Sequence, residues 1–295
     1  MEEKLLSQYT QMRDETEMLD LILDTARQDQ RIRAVILNGS RVNPNIQPDR
    51  YQDFDVVYLV TEVAPFVKDP TWIDRFGERM IHQTPDRMGD QKPRVDGGFT
   101  YLMQFTDGNR IDLTLIPIEN IDNMEADSLS VLLLDKDDRL PPFPPPSEVS
   151  YLPSPPTAKA FADCCNEFWW VAPYVAKALT RGEILYAKHL LDVVLRGELM
   201  KMLTWQFGIK TKFKRNPGKI GKHFPEVFSQ DQWNQLVRTY STAGMSQTWE
   251  SLFTMANLFR DSAEFIGATF KFHYPLKEDK RVTAYIYFFQ KMQQR

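Results

Sequence analysis

The stretch Ala34–Val60, AVILNGSRVNPNIQPDRYQDFDVVYLV, contains two short apolar runs rich in Val and Ile. Gly39 and Ser40 close the first, and Asp53 and Asp55 fall within the second. Runs of this kind read as strands. Residues two apart on a strand share a face, their Cα atoms about 6–7 Å apart. Asp53 and Asp55 are therefore expected to project together while Phe54 and Val56 point into a core. Two like charges side by side repel. A divalent cation removes the conflict by bridging them, and Mg²⁺ prefers one or two carboxylates with phosphate oxygens and water.

The segment GGFTYLMQFTDGNRIDLTLIP, from Gly97 to Pro117, reads as a hairpin turning at Asp107-Gly108. Asp112 lies on its second strand between Ile111 and Leu113. If that strand neighbours the Asp53 strand, three carboxylates converge, as two-metal phosphoryl and nucleotidyl transfer requires. Gly39 lets the backbone approach a ligand. Ser40 suits the first position of a helical turn whose N–H groups and hydroxyl bind phosphate, and Arg41 is expected to reach the same anion. Asp-x-Asp or Gly-Ser alone is common without function. Their joint placement on apolar strands, followed by a third strand aspartate, favours a site.

Around this core, Leu19, Ile22, Leu23 and Ala26 have helical spacing, and a further helix is expected from Ile73 to Thr84. The stretch Leu140–Thr157 holds eight prolines, which rules out a helix interior or a central strand. It reads as a connector at 140–157 between a mixed domain at 1–139 and a helical one at 158–295. In the latter, Phe161, Cys165, Phe168, Ala172, Ala176 and Leu179 form one apolar stripe. Ile184, Leu191, Val194, Leu195 and Met202 form another, and Pro173 is expected to bend or break the first helix.

The 295 residues are 42% hydrophobic and 26% charged, with net charge −4, which suits a soluble globular protein. The acidic balance argues against a long nucleic acid as partner. No apolar run approaches a membrane span, and the charged start MEEKLLSQYTQMRDETEM lacks a signal-peptide core. The two cysteines, Cys164 and Cys165, are adjacent, a poor disulfide framework that favours a reducing compartment. A cytoplasmic protein without a membrane partner is expected, with a monomer favoured.

LNGSRVNPN, QDFDVVYLV and RIDLTLIP together resemble the nucleotidyltransferase fold shared with DNA polymerase β. More closely, the chain from about Glu15 onward is similar to the bacterial aminoglycoside 6-adenylyltransferases, which inactivate streptomycin. The resemblance implies an α+β fold: an N-terminal nucleotidyltransferase domain with a small mixed sheet flanked by helices, then an all-α helical-bundle domain. It further implies that Gly39 and Ser40 hold the ATP phosphates and that Asp53 and Asp55 bind Mg²⁺. Asp112 would ligate metal or take the proton of the attacking hydroxyl. The reaction implied is AMP transfer from ATP to an aminoglycoside hydroxyl. A protein or RNA acceptor, or a nucleotide-binding module without turnover, is the alternative.

For a cationic sugar, Asp163, Glu167 and Trp170 fall together on the helix face opposite the apolar stripe. They offer a ring to stack on and acids to pair with guanidinium groups. An ordinary solvated face fits equally. Lys188 can meet the ATP triphosphate, or instead pair with Asp192 one turn on. The run Lys210–Lys222 carries six Lys and Arg without an acid, and reads as a phosphate-attracting or merely solvated loop. The four histidines show no metal-ligand spacing.

Overall fold

The computed structural model describes residues 12–90, 92–124 and 127–293. The charged start of the chain, residues 1–11, lies outside them. Contacts divide the chain into two compact units, Met1–Ser150 and Tyr151–Arg295.

In the first unit a six-stranded sheet runs in the order β3-β4-β5-β2-β1-β6. The strands are β1 Ile32–Asn38, β2 Phe54–Val60, β3 Arg79–Gln83, β4 Phe99–Phe105, β5 Arg110–Pro117 and β6 Ser130–Asp135. β2 and β5 pair in parallel, and the other neighbours pair antiparallel. The central strands bury both faces. Phe54, Val56, Tyr58 and Val60 join one core, while Val57 and Leu59 join a second with Ala34, Ile36 and Ile116. Helix α1, Glu15–Gln28, covers the first face with Met18, Ile22 and Ala26. It starts at a capping box in which Asp14 and Glu17 satisfy each other's backbone N–H. The Tyr58 hydroxyl donates to the Ile22 carbonyl at 2.6 Å, which fixes α1 on β2.

The hairpin β4–β5 turns at Asp107-Gly108, where Gly108 adopts φ 93°. The expected helix from Ile73 to Thr84 does not form. One 3₁₀ turn, Trp72–Phe76, ends at Gly77 with φ 122°, and the chain then extends as edge strand β3. Glycine releases the helix there, and pairing with β4 captures the residues beyond it. The proline-rich stretch begins as part of this unit, because Leu140 and Phe143 pack on the second sheet face. Glu148 accepts from the side-chain amides of Asn43 and Asn45, both at 2.9 Å. The apolar residues of this stretch share that face with Ile118 and Ile121 of the 3₁₀ segment Ile118–Asn123.

The second unit is helical. After the short α2 of the first unit, Ala64–Lys68, come α3 Ala158–Thr180, α4 Ile184–His189 and α5 Arg196–Lys210. α6 Gln230–Arg238, α7 Met245–Phe270 and α8 Leu276–Gln293 follow. Every residue of the α3 stripe is fully buried, and Phe168 stacks on Phe259 of α7 with ring centroids 3.8 Å apart. Pro173 does not break α3. Its neighbours on either side, Ala172, Val175 and Ala176, are buried, and their packing keeps the helix continuous through the missing hydrogen bond. A π-helical turn, Leu190–Leu195, joins α4 to α5. No described helix is long and apolar enough to cross a membrane.

One buried ion pair ties three helices of this unit. Arg260 of α7 donates through Nε and Nη2 to Asp279 of α8, at 2.5 and 2.6 Å. The Tyr274 hydroxyl also donates to Asp279, and Trp169 of α3 donates to Tyr274. Asp279 is wholly buried, and these donors hold its carboxyl below the usual carboxylate range against the pull of desolvation. Removing one partner of such a pair strands the other charge. Asp279→Ala should therefore lower the stability of the helical unit by about 3–5 kcal/mol. The double variant Arg260→Met, Asp279→Leu should lose less than Asp279→Ala alone. Urea unfolding read by tryptophan fluorescence reports on this unit, since five of the six tryptophans lie beyond residue 150.

Candidate active site

Three elements meet at one end of the central strands. β2 and β5 run in parallel with Asp55 opposite Asp112, so the two side chains stand side by side at the N-terminal ends of their strands. β1 runs the other way with Asn38 opposite Asp55, which brings the turn at its C-terminal end to the same place. Asp53 precedes β2 by one residue and shares the face of Asp55 by strand alternation.

The turn is a single 3₁₀ segment, Gly39–Val42. Gly39 has φ 80°, and a Cβ there would lie 2.3 Å from Asp55 Oδ2. The glycine thus makes room for the Asp55 carboxylate, a closer neighbour than the ligand expected from sequence. Its N–H is taken by the Leu129 carbonyl at 2.9 Å. The Ser40 carbonyl accepts from Gln52 Nε2 at 3.1 Å. No described residue bonds the Ser40 hydroxyl, which leaves it available to a ligand.

Arg41 is oriented elsewhere than toward an incoming anion. Its Nε and Nη2 donate to the carbonyls of Asp53 and Gln52, at 3.1 and 2.5 Å. Its guanidinium lies 3.6 Å from the Phe54 ring centroid, and the side chain is 5% exposed. Burial makes these partners obligatory, so Arg41 sets the conformation of the segment that carries Asp53.

Arg110, which the sequence reading passed over, enters the carboxylate group. It bonds both oxygens of Asp112, at 2.7 and 2.8 Å, and its Nε lies 3.5 Å from Asp53 Oδ2. Its signal was visible: two residues before Asp112 on a strand, it must share that face. Burial pushes the Asp55 carboxyl up to about 6, with the charges of Asp112 and Asp53 adding to the effect. Asp127 adds a further negative field at Asp55. Asp53 is also raised by burial, with Arg110 opposing. Among the described residues, no group of three or more His, Cys, Asp or Glu is closed into a metal site. The donor set is nevertheless hard, anionic and already shared with one cation, Arg110. Mg²⁺ needs only one or two protein carboxylates when phosphates supply the rest.

In the helical unit Asp163, Glu167 and Trp170 are all exposed on α3, yet they divide between two sides. Asp163 and Trp170 line a cavity of about 450 Å³ together with Asn166, His273 and Glu278. Glu167 is absent from that lining, and Lys201 of α5 pairs with Glu198 at 2.6 Å, with Glu167 adding only the weakest of the fields at its ammonium. Trp170 is 63% exposed, its ring available for stacking. Asp163 pairs with Lys159 one turn back. Glu278, a second acid lining the same cavity, comes from α8, more than a hundred residues away in sequence, and no local pattern reveals it. Lys188 donates to the Ser241 carbonyl at 2.9 Å and pairs with Asp192 at 2.8 Å. The chain about Lys210–Lys222 bends through left-handed residues at Lys212, Phe213 and Ile220, with Arg215 paired to Glu226.

The model of the streptomycin adenylyltransferase family matches residues 12–288. An aminoglycoside 6-adenylyltransferase of Campylobacter jejuni is 43% identical over 270 residues, covering 91% of this chain and 93% of the relative. One of Bacillus subtilis is 40% identical over 276 residues, covering 93% and 97%, and one of Staphylococcus aureus is 34% identical over 266 residues, covering 90% and 94%. A crystal structure of an aminoglycoside 6-adenyltransferase from Bacillus subtilis, 35% identical, aligns over 95% of this chain and 99% of that one, with a TM-score of 0.46.

The raised Asp55 carboxyl has a consequence for stability. The fold prefers its neutral form, so that contribution is full below pH 4 and is lost as pH rises through about 6. A displacement of about two pKa units corresponds to roughly 3 kcal/mol at most. With a chelator present, Asp55→Asn should melt above wild type at pH 8, and the gain should vanish near pH 4. A difference in melting temperature that is the same at both pH values would contradict the assigned electrostatics.

Proposed function

The chain belongs to the streptomycin adenylyltransferase family, and on that premise we propose a reaction for the site just described. The protein transfers AMP from ATP to a hydroxyl of an aminoglycoside, releases pyrophosphate and so confers resistance. The acceptor proposed is streptomycin, modified at its 6-hydroxyl. The observation that carries this reading is the parallel register of Asp55 with Asp112 beside the Gly39–Ser40 turn.

In this proposal Asp53 and Asp55, with Asp112 as a third carboxylate, would hold Mg²⁺, which when bound supplies positive charge against the phosphates of ATP. The Ser40 hydroxyl donates a hydrogen bond to a phosphate oxygen, and Gly39 keeps the backbone clear of the Asp55 carboxylate. Asp112, adjacent to both carboxylates, takes the proton of the attacking hydroxyl. Pyrophosphate leaves opposite the incoming oxygen. Lys188 is a further candidate for a phosphate contact, which would require it to exchange its bonds to Ser241 and Asp192.

The acceptor wall is proposed to be the helical-unit cavity. Trp170 stacks on the sugar, while Asp163 and Glu278 pair with its guanidinium groups. Glu167 contributes little on this reading, since it lies outside that cavity's lining. The reaction is proposed to run in the cytoplasm in a monomer, in keeping with the buried free thiols of Cys164 and Cys165.

Incubation with ATP labelled at the α-phosphate, Mg²⁺ and a panel of aminoglycosides, RNA and protein acceptors tests the reaction. Label should pass to streptomycin with wild type and fall at least a hundredfold with Asp53→Asn or Asp55→Asn. Label on RNA or protein alone would overturn the acceptor. Loss of one charge-assisted hydrogen bond is worth about 1.5–3 kcal/mol. Glu278→Gln and Asp163→Asn should therefore each raise the streptomycin KM roughly tenfold or more with little change in the KM for ATP. Glu167→Gln should leave both nearly unchanged.

A further inference from the structure

Arg110 stands among the carboxylates that the proposed metal would use. Its guanidinium makes a two-pronged pair with Asp112 and lies 3.5 Å from Asp53. Asp55 also acts on it electrostatically, so one positive group compensates three negative ones. The placement follows from the fold. Arg110 and Asp112 share a face of β5, and the parallel register, Phe54 opposite Ile111 and Asp55 opposite Asp112, sets Asp53 beside Arg110. The Arg110 side chain is 37% exposed and so has room to swing into solvent.

We propose that Arg110 is a built-in counter-cation that keeps free metal out of the site and yields it only to metal and ATP entering together. This rests on the proposed metal role of Asp53, Asp55 and Asp112. Mg²⁺ arriving alone must part with hydration water, which it does reluctantly, and must break a bidentate ion pair, leaving a guanidinium without a partner. Metal arriving with ATP brings phosphate oxygens, which match the planar fork as well as a carboxylate does. The displaced Arg110 then pairs with a phosphate, and no charge is stranded. Binding of metal and of nucleotide is thereby coupled, and by linkage each strengthens the other equally.

Mn²⁺ is a usable probe, because its free form is counted directly by electron paramagnetic resonance. Titrations are made on wild type, Arg110→Gln, Arg110→Lys and Asp55→Asn. Each is run with and without an ATP analogue whose α,β-bridging oxygen is replaced by methylene. Without nucleotide, Arg110→Gln should bind Mn²⁺ on the order of ten- to a hundredfold more tightly than wild type, the equivalent of removing a charge-assisted bidentate contact. Arg110→Lys keeps the charge but not the fork, so its affinity should lie between the two. If Arg110→Gln fails to fold, Arg110→Lys carries the test. The analogue should tighten Mn²⁺ binding strongly in wild type and much less in Arg110→Gln. Equal nucleotide-free affinity in wild type and the folded Arg110 variants would overturn the inference while leaving the metal site intact. Unchanged Mn²⁺ binding in Asp55→Asn with the analogue present would instead overturn the metal assignment, and the inference with it.

Discussion

The parallel pairing of β2 with β5 is the constraint from which the site follows. It sets Asp55 opposite Asp112 and places Asp53 beside Arg110, whereas antiparallel pairing would have put the N-terminal end of one strand beside the C-terminal end of the other. Parallel strands are commonly buried on both faces, and β2 is, with apolar residues in both cores of the unit. The carboxylates therefore stand at the strand ends, interleaved with residues such as Phe54 and Ile111 that are already buried. Their mutual repulsion and partial burial raise Asp55 and Asp53. The strand's remaining apolar surface, the Tyr58 bond to α1 and the Arg41 clamp at its entry hold the arrangement against that repulsion.

The two units divide the work by their chemistry. The first offers a cluster of anions, a serine hydroxyl and one guanidinium, which suits a metal-bound polyphosphate. The second offers an exposed indole flanked by acids on a helical frame, which suits a polycationic sugar. The frame around that cavity is stiff where it counts. Trp169, next to Trp170, bonds Tyr274, which bonds Asp279, the neighbour of Glu278. The buried Arg260–Asp279 pair thus fixes the two helices that carry the cavity's ring and its second acid.

Much of the first unit was legible in the sequence because its signals are local. A short apolar run rich in Val marked β2, Asp107-Gly108 marked the hairpin, and the spacing of Ile22 and Ala26 marked α1. The segment after Ile73 misled because its apolar residues suit a helix, while Gly77 and pairing with β4 decide otherwise. Arg41 was expected to reach an anion because a charged residue beside Gly-Ser invites that reading, yet burial against Phe54 turned it to backbone carbonyls. Arg110 was readable from period-two spacing and was overlooked. Glu278 was not readable, because helix packing alone brings it to the cavity that Asp163 lines, and packing leaves no mark on sequence spacing. Glu167 shared a helical wheel face with Asp163, yet it lies outside the cavity that Asp163 and Trp170 line.

The central claim, that Asp53, Asp55 and Asp112 form a metal–nucleotide site beside Gly39 and Ser40, is tested most directly by crystallography. Crystals grown with Mn²⁺ and a non-reacting ATP analogue would be measured at the manganese absorption edge. The account predicts an anomalous peak within coordination distance of Asp53 and Asp55, with the triphosphate at the Ser40 hydroxyl and Arg110 parted from Asp112. A peak away from these carboxylates, with the Arg110–Asp112 pair intact, would contradict it.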